Sequence, residues 1–183
     1  MTFRVLGRLD FPLLALWMAR PHVEMWWREE YEPAAIEARY GPAIDGLDST
    51  ELFIVEYGGI PIGFAQRYLL RDNPSWQASL SVAGGPDNGA GIDYFIGEES
   101  LTGAGLGPRI IGRLVDDLWS SHPDIAAVVV NVAPENRRSW RALEKSGFTR
   151  IWTGVIESDD PSDAGLSHVY VRHRADSDGS AAD

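Results

Sequence analysis

The chain contains no cysteine. That excludes a disulfide framework, a thiolate metal site and a cysteine nucleophile. Lysine is nearly missing too: Lys145 stands alone and arginine carries the remaining positive charge, a bias to which we attach no function. No segment reaches the roughly 18 apolar residues of a membrane span. The opening MTFRVLGRLD lacks the apolar core of a signal peptide, so a cytoplasmic enzyme is the simplest expectation, although a cysteine-free chain tolerates any compartment. Positive charge is in deficit, with 16 Lys and Arg against 27 Asp and Glu and a formal net charge of -11. This balance disfavours nucleic acid and anionic membranes as partners and admits a cationic small molecule. Acidity serving solubility alone would give the same balance. Part of the excess lies in ADSDGSAAD, within a stretch (173–183) that reads as a disordered acidic tail.

What is present suits one globular domain over 1–172: 183 residues, 44% of them hydrophobic and 10% aromatic. Phe3 to Leu9 reads as a strand, with Asp10 placed to cap a helix starting at Phe11. Pro21 ends that helix, and helix-compatible acidic sequence follows through Tyr40. Here Trp26 and Trp27 stand beside Glu24, Glu29, Glu30 and Glu32. They could line a cleft for a bulky cation, or simply pack the segment onto a sheet. Leu52 to Tyr57 and Ile60 to Leu70 form a hairpin about Gly58-Gly59. A long connection, Arg71 to Ala90, carries Trp76 and room for a short strand at Leu80 to Val82. Ile125 to Val132 is a β-branched apolar run expected of a strand buried on both faces. Pro134 opens a helix through Ser146, closed by Gly147. Strands at Phe148 to Ile156 and His168 to Val171 flank an acidic loop.

The organising stretch is GIDYFIGEESLTGAGLGPRIIGRLVDDLW, from Gly91 to Trp119. It reads as a strand, an acidic turn, a glycine loop and an amphipathic helix from Pro108. Gly103, Gly105 and Gly107 leave backbone N–H groups free to curl around a phosphate, and the helix N-terminus adds a favourable dipole. Tight packing of a strand–turn–helix accounts for the same glycines.

In this order the elements resemble the GNAT family of acetyl-CoA-dependent N-acetyltransferases. The resemblance rests on Thr102-Gly103-Ala104-Gly105-Leu106-Gly107, on Asn136, and on Glu144-Lys145-Ser146-Gly147-Phe148. Within that family, His22 to Trp27, Gly63-Phe64-Ala65-Gln66-x-Tyr68 and Gly91-Ile92-Asp93 are similar to aminoglycoside 6′-N-acetyltransferases. The resemblance implies an α/β (α+β) GNAT fold, with a mixed sheet of about seven strands splayed between the fourth and fifth and flanked by helices. It implies acetyl-CoA as co-substrate, no metal, a monomer or homodimer, and a cationic acceptor. Cofactor contacts would fall on Tyr94, Phe95 and Ile96, on Thr102 through Pro108, and on Asn136. Asp93 would orient and deprotonate the acceptor amine, with Trp26, Trp27, Gln66, Tyr68, Trp76, Glu98 and Glu99 as candidate walls. Three places depart from the pattern: Thr102 stands where an Arg or Gln is usual, Asn131-Val132-Ala133 where an Asp is common shortly before the Pro, and Leu143 where a Tyr acid is common. Acylation of a lysine-derived amine and a non-catalytic acyl-CoA-binding module are the rival readings.

Overall fold

The computed structural model describes residues 1–158, 160–163 and 165–175. Seven strands form one sheet in the order β1-β2-β3-β4-β5-β7-β6. They are β1 (Thr2–Val5), β2 (Glu51–Tyr57), β3 (Ile60–Leu69), β4 (Gly89–Ile96), β5 (Ala127–Val132), β6 (Thr149–Val155) and β7 (Leu166–His173). Every neighbouring pair is antiparallel except β4 and β5, which run parallel. Their pairing is short. It starts at Gly89↔Ala127 and stops at Gly91↔Val129, so beyond Gly91 the two strands separate.

Among the described residues six α-helices cover the sheet: α1 (Phe11–Met18), α2 (Pro21–Trp27), α3 (Pro33–Ile44), α4 (Pro74–Val82), α5 (Leu106–Ser121) and α6 (Arg137–Lys145). Alternation along each strand decides which face they cover. Val128, Val130 and Val132 of β5 join Ala65 and Ile92 under α5 and α6. The apolar stripe of α5, with Ile110, Ile111, Leu114, Val115 and Leu118 all buried, matches its helical spacing in sequence. Ala127 and Val129 point the other way, beneath Leu80 and Ala83 around α4. On that second face Ile54, Phe64 and Phe95 pack against α1 to α3. The second face is therefore roofed in two separate parts, and the interval between them is open.

Several expectations need correction. Asp10 makes no side-chain cap for α1; its carboxylate instead accepts Gly7 N at 2.9 Å, closing the short turn before the helix, and pairs with Arg4 at 2.8 Å. Pro21 begins α2 rather than only ending α1, as a proline suits the first helical turn. The connection after β3 holds helix α4 and no strand at Leu80 to Val82. At the other end β7 runs to His173, and Arg174 N donates to Ala126 O at 2.8 Å. Most of the expected acidic tail, 176–183, lies outside the described residues. The hairpin holds as read, with Gly58 at φ 63° and Gly59 at φ 78°, the pair of positive values a primed turn requires.

Candidate active site

The opening in the second face is a cleft of about 1420 Å³. Its floor is the sheet, with Gln66 and Tyr68 from β3, Asp93 from β4 and Asn131 from β5. These side chains share a face because Gln66 pairs with Asp93 and Tyr68 with Gly91 across the β3–β4 ladder. Gln66 Nε2 donates to Asp93 Oδ2 at 3.0 Å. Burial pushes the Asp93 carboxyl up to about 7; the Gln66 bond works against this, while Asp163, Asp160 and Glu29 add repulsion. A carboxyl in that range divides between its charged and neutral forms near neutral pH, which suits it to exchange a proton with an amine.

Tyr68 lies flat over Gly91: a β-carbon there would come within 2.2 Å of the ring. Its hydroxyl accepts from Trp76 Nε1 at 3.1 Å, which fixes α4 against the floor. Burial, then the Asp93 charge, raise the Tyr68 phenol well above its ordinary range, so it stays a donor. Trp27 has a double role. Its ring packs edge-on against Phe95 and Phe64 in the core, while its flank lines the cleft. Trp27 Nε1 donates to Tyr40 at 3.1 Å, and the Tyr40 hydroxyl donates to Glu29 Oε2 at 2.6 Å.

The third wall is the segment between β6 and β7, which brings Asp160 and Asp163 over the floor. Asp163 accepts from Asn131 Nδ2 at 2.5 Å and from Ser158 at 2.6 Å, and burial raises its pKa. Ser162 Oγ donates to Trp27 O, tying this segment to α2. Asp163, Asp160, Arg39 and Tyr40 also line the cleft, and no motif marks them in the sequence. The one available signal was the stretch Asn131-Val132-Ala133, which lacks the carboxylate common there in the family it resembles: an acid reaches Asn131 from another loop.

Three expected wall residues lie elsewhere. Trp26 is half-buried one position round α2 and does not line the cleft. Glu98 is held by Trp17 Nε1 at 2.9 Å and Arg20 at 2.8 Å, under α1. Glu99 is exposed, in the short turn before the glycine loop.

On the other side of β4 lies the splay from β5. Gly97 N donates to Ile62 O on β3, so by antiparallel alternation Asp93 and Phe95 also bond β3, while Tyr94 and Ile96 turn their backbone toward the splay. Phe95 is thereby corrected: its backbone serves β3 and its ring the core, packed against Trp17 and Trp27. Ile96 O is occupied by His22 Nε2 at 3.0 Å, so among the described residues Tyr94 and the Ile96 N–H are the backbone groups left facing the splay without a β5 partner.

In the loop before α5, Gly103 and Gly105 adopt φ 78° and 76°, and Gly105 leads directly into the helix. Gly103, Ala104 and Gly105 are exposed, with Leu106, Gly107 and Pro108 forming the first turn of the helix. Gly107 is confined for a different reason, since a β-carbon would crowd Ala142 at 3.3 Å and Tyr94 Oη at 3.4 Å. Burial lifts the Tyr94 phenol to about 12, with a bond to Ser139 partly offsetting it. Asn136 caps α6, accepting from Ser139 N at 3.2 Å, which leaves its amide N–H groups for another partner. Thr102 Oγ1 accepts from Arg138 at 3.4 Å, so a guanidinium from α6 reaches the start of the loop. Leu143 is fully buried and offers no hydroxyl. Among the described residues no group of three acidic or histidine side chains could hold a metal ion, and no helix is long and apolar enough to cross a membrane.

A sheet splayed after one parallel pairing, a glycine loop feeding α5, and an acidic cleft on the opposite face define an acyltransferase architecture. The chain belongs to the GNAT acetyltransferase family: the family's acetyltransferase (GNAT) domain model matches residues 8–155. Among individual proteins it is 32% identical over 165 residues to the aminoglycoside N(6')-acetyltransferase type 1 of Klebsiella pneumoniae, covering 88% of this chain and 79% of that one. The crystal structure of aminoglycoside acetyltransferase AAC(6')-Ib in complex with coenzyme A superposes with a TM-score of 0.80 at 28% identity, covering 94% of each chain. A more distant relative, lysine N-acyltransferase MbtK of Mycolicibacterium paratuberculosis, is 24% identical over 149 residues, 80% of this chain and 64% of that one.

Proposed function

We propose that this protein is an acetyl-CoA-dependent aminoglycoside 6′-N-acetyltransferase working by direct transfer in a ternary complex. The observation that carries the reading is the placement of Asp93: a carboxyl bonded to Gln66 on the floor of an acidic cleft, beside the splayed strands, where burial raises its pKa. The cofactor's pyrophosphate would lie on the N–H groups of Gly103 to Gly107 at the start of α5, with Arg138 close by. Its pantetheine arm would follow β4 past Tyr94 and Asn136 into the splay.

The acceptor enters the cleft as an ammonium held by Asp93. Ionised Asp93 takes the proton, directly or through water, and the free amine nitrogen attacks the thioester carbonyl carbon. The tetrahedral oxyanion collects on a backbone N–H facing the splay. Collapse breaks the carbon–sulfur bond, and the coenzyme A thiolate departs. Leu143 supplies no acid, and none is required, since a thiolate of cysteine-like pKa is a tolerable leaving group near neutrality. Without cysteine an acyl-cysteine intermediate is excluded.

Among the described residues eight carboxylates line the cleft, Glu29, Glu30, Asp48, Asp72, Asp93, Glu157, Asp160 and Asp163. That supports an acceptor with several amines over a lysine-derived amine, the second reading favoured by the more distant relative. A cytoplasmic setting, where acetyl-CoA is available, fits this activity, and the enzyme would act as a monomer or homodimer. The test is release of free thiol from acetyl-CoA with kanamycin, tobramycin, lysine derivatives and a peptide. Turnover confined to acceptors with a 6′-amine supports the reading. Turnover on lysine derivatives alone overturns it in favour of the second, and silence with tight coenzyme A binding favours a binding module.

A further inference from the structure

Two arginines line the cleft, Arg28 and Arg39, and Arg39 is bonded to two of its carboxylates. Arg39, on α3, donates through Nε to Glu29 Oε1 at 3.4 Å and through Nη2 to Asp160 Oδ2 at 3.0 Å. All three residues line the cleft. The Glu29 and Asp160 side chains are 9% and 28% exposed against 51% for Arg39, so a mostly open side chain ends on an enclosed pair of acids. A guanidinium and an alkylammonium require the same surroundings, carboxylate oxygens at about 3 Å. Arg39 therefore occupies a place an acceptor ammonium could take.

We propose that Arg39 is a specificity-determining residue: a tethered cation that fills the Glu29–Asp160 pair and limits how many ammonium groups of an acceptor the cleft can hold. This rests on the polycationic-acceptor reading above. The two carboxylates do not depend on Arg39 for their placement. Glu29 Oε2 keeps the Tyr40 hydroxyl at 2.6 Å, and Asp160 Oδ1 keeps Ser162 N at 2.8 Å. Ser162 is in turn bonded to Trp27 O, and Asn131 and Ser158 hold Asp163. Removing Arg39 leaves a preplaced pair of acids facing the acceptor. If Arg39 were instead only a clamp closing the β6–β7 segment onto α3, its loss would loosen the wall and weaken binding. The two roles differ in sign.

The experiment is calorimetric titration of tobramycin and kanamycin into wild-type enzyme, Arg39→Gln and Arg39→Lys, with coenzyme A present. Arg39→Gln should bind tobramycin roughly fivefold more tightly at low salt, one partly exposed ion pair's worth, and lose more of its affinity as salt is added. Arg39→Lys keeps the cation and should stay near wild type. Adding Asp160→Asn to Arg39→Gln should abolish the gain. Unchanged or weaker tobramycin binding by Arg39→Gln overturns the proposal. Arg39→Met, which keeps the aliphatic stem, repeats the test if the glutamine variant melts below the assay temperature. Binding is read as heat, so the two conclusions separate. A wild type that binds no aminoglycoside removes the functional reading as well, whereas normal wild-type binding without the Arg39→Gln gain removes only this inference.

Discussion

Asp93 is half-buried, faces other acids, and has one neutral hydrogen-bond donor in Gln66. Its raised pKa has two measurable consequences of different kinds. In catalysis, the ionised fraction grows as pH passes about 7, so kcat/KM should rise through that range. Asp93→Asn should lower kcat/KM by roughly a hundredfold or more and remove that limb, as loss of a general base does; a variant with full kcat/KM would end the base role. In stability the sign is opposite. A carboxyl whose folded pKa lies above its unfolded value of 3.8 contributes fully below 3.8 and loses that contribution as pH rises through about 7. Asp93→Asn should therefore melt higher than wild type in alkali, its advantage growing by roughly 2 kcal/mol between about pH 5.5 and pH 8.5. Thermal melts at the two ends check this. Neither consequence was visible in the sequence. Asp93 was singled out only through the Gly-Ile-Asp resemblance, and nothing local to that triplet says that Asp163, Asp160 and Glu29 face it.

Among the elements, the glycine loop and the β3–β4 ladder separate the two binding functions cleanly enough to test. Gly105→Ala forces a side chain into the left-handed region, at a cost of about 1–2 kcal/mol, and disturbs the turn into α5. It should raise KM for acetyl-CoA with little effect on KM for the acceptor. Gly91→Ala should do the reverse, because its methyl would displace the Tyr68 ring from the cleft floor. Steady-state kinetics with each substrate varied distinguishes the two patterns. The loop, the hairpin, α5 and β5 were legible because each carries its own periodicity or turn chemistry. Helix α4 was not: it is nine residues long, enters through Asn73-Pro74 and exits into Gly84-Gly85, so turn signals surround and mask it. Glu98 was misjudged for a related reason. As an acid of the turn after β4 it is a candidate wall in sequence, but the chain turns at Gly97 and delivers Glu98 to Trp17 and Arg20. Asp163 escaped because it reaches Asn131 from 32 residues away, a contact that only the assembled sheet creates.

For the molecule as a whole, a net charge of -11 and a cleft rich in carboxylates should draw a polycation in from a distance. Raising ionic strength should lower kcat/KM for tobramycin several-fold, mainly through the encounter rate, and leave saturation by acetyl-CoA far less affected. A salt-independent kcat/KM would show that the exposed rim acids contribute nothing to capture. The splay between β4 and β5 has a further consequence, for timing. Past Gly91 the sheet has an interior edge, where Tyr94 and the Ile96 N–H have no strand opposite. An extended amide-bearing chain laid there completes the ladder in the manner of an added strand. Amide hydrogen exchange at those two positions should therefore slow when coenzyme A binds and be insensitive to aminoglycoside alone. The half of the sheet bearing Asp93 would then be set before the acceptor arrives, which favours ordered addition with the thioester first.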